Sequence, residues 1–323
     1  MAQVPIIDLS NFPERKQEVT QQLLSAALDT GFFYLQHHSI SLATVDEMFD
    51  ASSKFFSLSD SVKARYAFEK QRNAGWEKLA QMRPSTGTID QKESLSISMI
   101  TTPDKIPTEQ ACPGFAVSAR TFMEQCQSLS LQLLDCFAQG LGFPANYFDP
   151  HHDVTRGDCQ QTLRCLFYHG KTDADVKAAA GLWRAGAHTD FDTLTLLFQR
   201  PGEKGLEMCA GRQACTDFAA GDEWTPVDPI EGAIAVNIGD MLMRWSDDRL
   251  KSNYHRVRMP RAGEYLGPRY SLAWFNQANK ESIIQGPLKR YPPVSGGQFM
   301  LDAMQRNYEA LQRLTKEPAV CAA

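Results

Sequence analysis

The sequence contains no C-x-x-C pair, although it has eight cysteines, at positions 112, 126, 136, 159, 165, 209, 215 and 321. Thiols scattered in this way through 323 residues suit neither a disulfide framework nor a zinc–thiolate site. They are expected to be reduced and mostly buried. No basic segment and long apolar run follow Met1, so no secretory leader is expected. No stretch reaches the apolar length needed to span a bilayer, and the expected location is the cytoplasm. A basic excess is also missing. Lys and Arg number 33 against 38 Asp and Glu, for a formal charge of -5, which argues against nucleic acid or anionic lipid as partner. Internal repeats, low-complexity tracts and long linkers are absent too.

What is present is a chain 43% apolar, enough for one substantial core. Apolar residues at helical spacing predict helices over 14–29, 41–56, 118–141 and 298–314. Short strands are expected at 4–9, 32–35 and 94–100, within a Gly- and Pro-broken stretch over 73–113 for the last of these. Beyond Thr162 the character changes to short strand-like runs, at 163–168, 193–198, 232–237 and 269–275. That spacing suggests an antiparallel sandwich or barrel. The expected fold is therefore mainly β with flanking helices. It forms one compact unit over 1–323, with an N-terminal flank over 1–155, a β core over 156–280 and a C-terminal helix over 281–323.

Histidine is scarce, with seven in all. His188 stands in Arg184-Ala-Gly-Ala-His188-Thr-Asp190. In a strand, residues i and i+2 share a face, so His188 and Asp190 are expected to converge while Thr189 turns away. A third ligand must come from a neighbouring strand, and His255 in Asn253-Tyr-His255-Arg-Val257 is the best candidate. Two imidazoles and a carboxylate on one face of a metal leave positions open and suit Fe(II). Zinc accepts the same donors.

Arg269 and Ser271 share a strand face by the same period. An arginine inside a barrel needs a planar anion, and its fork fits a carboxylate; the alternative is an edge arginine paired to a surface acid. Shortly after a metal histidine, the pair reads as an anchor for the distal carboxylate of 2-oxoglutarate. Tyr168 is placed to add a phenolic hydrogen bond, or else to pack. Arg164, four residues earlier on the same face, suits an acidic or polar substrate or a surface salt bridge. Phe275 and Trp183 are candidates for the substrate wall or for plain core. His169 faces away from Tyr168 and is expected to be structural, while Asn237 and Asp240 are expected to shape a turn.

In order along nearly the whole chain, several motifs resemble those of one family. They are Val4-Pro-Ile-Ile-Asp8, Gly31-Phe-Phe-Tyr-Leu, Asp90-Gln-Lys-Glu93, His188-Thr-Asp190, Gly205-Leu-Glu207, Asn237-Ile-Gly-Asp240, Lys251-Ser-Asn-Tyr-His255 and Arg269-Tyr-Ser271. The family is that of the 2-oxoglutarate/Fe(II) oxygenases related to isopenicillin N synthase. Two segments depart from its pattern: Phe167-Tyr-His169-Gly170 lacks the usual prolines, and His37-His38-Ser39 replaces Asn-His-Gly. The resemblance implies a double-stranded β-helix (jelly-roll) core with iron at His188, Asp190 and His255. It also implies 2-oxoglutarate on Arg269 and Ser271, and O2 as oxidant. The implied reaction oxidises a C–H bond of a small molecule, by hydroxylation, desaturation or ring rearrangement, with a place in specialised metabolism. An oxidase that does not use 2-oxoglutarate, a zinc hydrolase on the same ligands and a non-catalytic binding protein on the same barrel are the rival readings.

Overall fold

A computed structural model describes residues 3–179, 181–209 and 223–316. Strands and helices alternate through the first half: β1 (Ile6–Asp8), α1 (Phe12–Asp29), β2 (Phe32–Gln36), α2 (Leu42–Ser57), α3 (Asp60–Lys63), β3 (Gly75–Lys78), β4 (Glu93–Ile97) and α4 (Phe115–Leu141). The second half is mostly strand: β5 (Thr162–Tyr168), α5 (Asp173–Ala178), β6 (Ala185–His188), β7 (Leu194–Gln199), β8 (Leu206–Met208), β9 (Thr225–Pro226), β10 (Ile234–Ile238), α6 (Asp240–Trp245), β11 (His255–Val257) and β12 (Arg269–Asn276). A short pair, β13 (Ile283–Ile284) and β14 (Val294–Ser295), precedes α7 (Gly296–Lys316).

Local chemistry sets the helix ends. Ser41 accepts the Thr44 N–H at 3.1 Å and opens α2. Gly142, at φ 86°, closes α4 in the left-handed region, where a side chain would be strained. Strand ends fall within a few residues of the sequence expectation; the strand expected at 94–100 runs Glu93–Ile97.

Eight strands form the main sheet in the order β1-β2-β10-β7-β12-β5-β4-β3, and four form a second sheet, β6-β11-β8-β9. The first 97 residues thus supply four of the eight main strands, because β10 and β5 offer unpaired backbone groups that β2 and β4 satisfy.

Side chains alternate across this sheet. Phe33, Leu196, Leu272, Trp274, Leu163 and Leu95 are buried on one face and share a core with α1, α2 and α4. Burying each such side chain stabilises by about 1.5–3 kcal/mol, so this face carries much of the stability. The other face looks toward the second sheet across a smaller apolar cluster that includes Leu166, Ala273 and Val257. That division spares the inner face for a cavity. The six described cysteines are buried, as expected, and Cys112, Cys126, Cys136, Cys159 and Cys165 are free; Cys215 and Cys321 lie outside the described residues. Among the described residues no helix is long and apolar enough to cross a membrane.

Candidate active site

β6 and β11 pair antiparallel with His188 and His255 as direct partners. Two imidazoles therefore meet across one strand spacing, their centroids 4.3 Å apart. β6 ends at His188, so Asp190 is not a strand residue and strand parity does not explain its direction. The turn beyond brings it round, with its carbonyl accepting the Asp240 N–H at 2.8 Å. His188 Nε2 and His255 Nε2 lie 4.0 and 3.6 Å from Asp190 Oδ1. One donor atom from each residue lies within 4.8 Å of the others, and among the described residues no other His, Cys, Asp and Glu side chains gather in this way.

The remaining polar atoms of these ligands are engaged elsewhere. His188 Nδ1 is 2.7 Å from the Gly186 carbonyl, a contact that requires a proton on Nδ1 and leaves Nε2 with its lone pair. Burial, with Arg83 and His255 close by, holds the His188 imidazole well below its ordinary pKa and so neutral. Asp190 Oδ2 accepts Thr195 Oγ1 at 2.6 Å and Asn237 Nδ2 at 2.9 Å, leaving Oδ1 for a metal. Asn237 lies within β10 opposite Thr195 on β7, so its role is to hold Asp190 and not to shape a turn. Asp240 does open α6, and it also accepts from Thr189 and Ser252 at 3.1 and 2.6 Å.

Asp192 completes this support. Burial, then Asp190 and Asp240, push its carboxyl pKa far up. A protonated Asp192 can donate to Thr195 Oγ1, 3.0 Å away, freeing the single hydroxyl proton for Asp190. Gly239 is required beside it, since a Cβ there would lie 2.2 Å from the Asp192 carbonyl oxygen. The donor set and its support fit a divalent metal with open positions on one side.

The other end of the inner face is built on register. Arg269 pairs with Tyr168, and Ser271 with Leu166 on one side and Gln199 on the other. Arg269 is 1% exposed; its Nε donates to the Glu203 carbonyl at 3.0 Å and one terminal nitrogen to Gln199 Oε1 at 2.9 Å. Its other terminal nitrogen is 3.4 Å from Ser271 Oγ, and its guanidinium lies 4.9 Å from the Tyr168 ring centroid. Among the described residues no carboxylate comes within ion-pair distance of it, so the edge arginine with an acid partner is not what the chain builds. The Glu203 carboxylate acts on it only from beyond ion-pair distance, and a buried guanidinium without a paired acid is costly unless an anion joins it. Arg184, also 1% exposed, lies 5.9 Å from the same ring with its Nε unpartnered.

Triad and arginine line one cavity of about 320 Å³. Tyr168, Arg164 and Phe275 line it too, with Arg164 5.5 Å from the Phe275 ring. Trp183 does not. Its ring packs on Arg256 at 4.6 Å, and Arg256, next to His255, points to the opposite strand face. His169 Nε2 sits 3.1 Å from Glu93, in keeping with a structural role. Arg83, and Lys92 of the Asp90-Gln-Lys-Glu93 segment, to which no site role was assigned from the sequence, also reach the cavity.

Residues 143–278 match the 2OG-Fe(II) oxygenase superfamily, and residues 4–114 match the N-terminal region described as non-haem dioxygenase in morphine synthesis. A proline hydroxylase of Petromyces alliaceus, buaE, is 32% identical over 86% of each chain. The chain belongs to the 2OG-Fe(II) oxygenases. Another relative in this family, the 2-oxoglutarate-dependent dioxygenase caaD of Aspergillus niger, is 28% identical over 95% of this chain and 92% of its own. The crystal structure of a full-length Neurospora crassa protein in complex with alpha-KG is similar at TM-score 0.81 and 30% identity, covering 94% of this chain and 96% of that one. The jelly-roll core expected from the sequence is thus the fold. As a 2OG-Fe(II) oxygenase, the protein is an oxidoreductase that uses Fe(II), 2-oxoglutarate and O2 on a small-molecule substrate, which displaces the hydrolase reading.

Proposed function

We propose that His188, Asp190 and His255 hold the iron of this dioxygenase. Arg269, with Ser271 and Tyr168, receives the distal carboxylate of 2-oxoglutarate, and Arg164 and Phe275 line the place of the substrate. Iron with 2-oxoglutarate and O2 supplies the oxidising power for a C–H bond, releasing succinate and CO2. The chain's own residues position and shield. Thr195 and Asn237 fix the Asp190 carboxylate, Gly186 fixes the His188 tautomer, and the apolar inner face keeps bulk water from the reacting groups. Trp183 has no part in the site. The observation that carries this reading is the buried Arg269, lacking an acid partner, in the same cavity as three converging metal donors.

The jelly-roll residues 156–280 carry all of these groups, while the N-terminal flank and C-terminal helix wall the cavity. The relatives differ in their small molecules: one is named for proline, and the Neurospora crassa protein is also crystallised with thymine. Kinship therefore does not fix the substrate here. Buried thiols and the lack of a basic excess fit a cytoplasmic enzyme of specialised metabolism that works without nucleic acid or membrane.

Anaerobic addition of Fe(II) and 2-oxoglutarate tests the site through the weak visible charge-transfer band of the chelate. The band is expected in the wild type. In Arg269→Ala its 2-oxoglutarate half-saturation should rise by roughly 30-fold or more, as when one partner of a buried charge pair is removed. An unchanged half-saturation would remove Arg269 from the assignment.

A further inference from the structure

Arg164, half-buried, differs from the other cations of the cavity in what it lacks. Its Nε donates to Ser96 Oγ at 2.8 Å, and the Phe275 ring lies 5.5 Å from its guanidinium. Neither terminal nitrogen has a partner among the described residues, and no carboxylate there is within ion-pair distance of it. The acid that acts on it most, Glu77, is turned to other partners through Oε1, which accepts from Gln81 Nε2 at 2.6 Å and Ser94 Oγ at 3.0 Å. Register places Arg164 opposite Ala273, one inward row from Phe275 and Thr195 and one from Ser271 and Gln199. It therefore stands between the rows that support the metal and the co-substrate.

Charge points the same way. The dication with Asp190, and the 2-oxoglutarate dianion with Arg269, balance one another. Arg83 and Lys92 share one carboxylate, Asp90 Oδ2, at 3.0 and 2.6 Å, and Asp90 Oδ1 is taken by the Gly186 N–H. Even with Glu77 counted, the three cations Arg83, Lys92 and Arg164 exceed the two acids by one positive charge. An open guanidinium fork at the centre of such a field matches a planar carboxylate. The walls around it, Phe275, Leu166, Leu197 and Phe32, match an apolar body.

We propose that the substrate is a monocarboxylic acid with an apolar or aromatic body, its carboxylate received by the two free terminal nitrogens of Arg164. The proposal rests on the metal and co-substrate assignment above, since those groups account for the other charges.

The test is an anaerobic titration of the protein, loaded with Fe(II) and 2-oxoglutarate, with phenylacetate, cinnamate and indole-3-acetate and with the primary amide of each. Binding is read as a shift of the charge-transfer band. At least one acid is expected to bind about tenfold or more tightly than its amide, as a charge-assisted pair implies. Arg164→Gln should abolish that preference and Arg164→Lys retain part of it, whereas Phe275→Leu should weaken acid and amide alike. The idea fails if acid and amide bind equally, if the preference survives in Arg164→Gln, or if no acid binds while the band is present. A wild type that forms no band would instead sink the co-substrate assignment. Protection against heat unfolding by the same acids, compared between wild type and Arg164→Gln without iron or 2-oxoglutarate, then judges Arg164 alone.

Discussion

The two faces of β5 bury charge in opposite ways. On the helix-packed face, Glu93 accepts from Lys63 Nζ at 2.7 Å and Trp76 Nε1 at 2.9 Å, with His169 Nε2 3.1 Å away. Every charge there meets a partner from the chain itself. On the cavity face, Arg164 and Arg269 have hydrogen bonds but, among the described residues, no acid within ion-pair distance. Burial penalises both faces alike, so the difference lies in who supplies the counter-charge. Where the chain supplies it, the cluster is scaffold. Where the chain withholds it, a ligand is expected.

That contrast breaks at its strongest point with His188→Ala, which should abolish iron binding, measured by equilibrium dialysis, while leaving the melting temperature within a few degrees. Glu93→Gln should do the reverse. It removes the buried one of the two acids on Lys63, Asp60 remaining 3.1 Å away, and should destabilise by about 1.5–3 kcal/mol in urea unfolding, with little change in iron or 2-oxoglutarate affinity. Equal losses of stability from both variants would erase the distinction. A smaller effect is expected of Asn237→Ala, which frees one hydrogen bond to Asp190; iron affinity should fall about 10- to 100-fold. If Asn237→Ala instead unfolds the protein, Asn237 belongs to the scaffold.

The mildest test uses pH. Burial raises the Glu93 carboxyl, but hydrogen bonds from His169, Lys63 and Trp76 outweigh it and hold the pKa at about 2, below its ordinary 4.5. A carboxyl with a depressed folded-state pKa contributes its stability fully above pH 4.5 and loses it as the pH falls toward 2. Stability measured by denaturant unfolding should therefore decline through that window, and Glu93→Gln should flatten the decline. An identical slope in both proteins would mean that other acids govern it.

Much of this site was legible in the chain because strand parity is a property of the backbone alone. The period of two put Arg269 and Ser271 on one face, Tyr168 and Arg164 on one face, and His169 on the other, and pairing with β5 and β7 keeps them there. The long helices and the main-sheet strands β2, β5, β7, β10 and β12 followed from apolar spacing, whereas the short α3, α5 and α6 did not. His188 and Asp190 do converge, but the parity argument for them rested on a strand that stops at His188.

What only the tertiary structure decided is which distant residues meet. His255 faces His188 through a register between strands far apart in the chain, and Asn237 reaches Asp190 because β10 pairs with β7. Asp192, Arg83 and Lys92 gain their roles from burial beside the site, and Trp183 loses its place through Arg256 on the outer strand face. The physical reason is the same throughout. Side-chain alternation is local and can be read along the chain, whereas register, burial and charge balance arise only when separate strands are brought together.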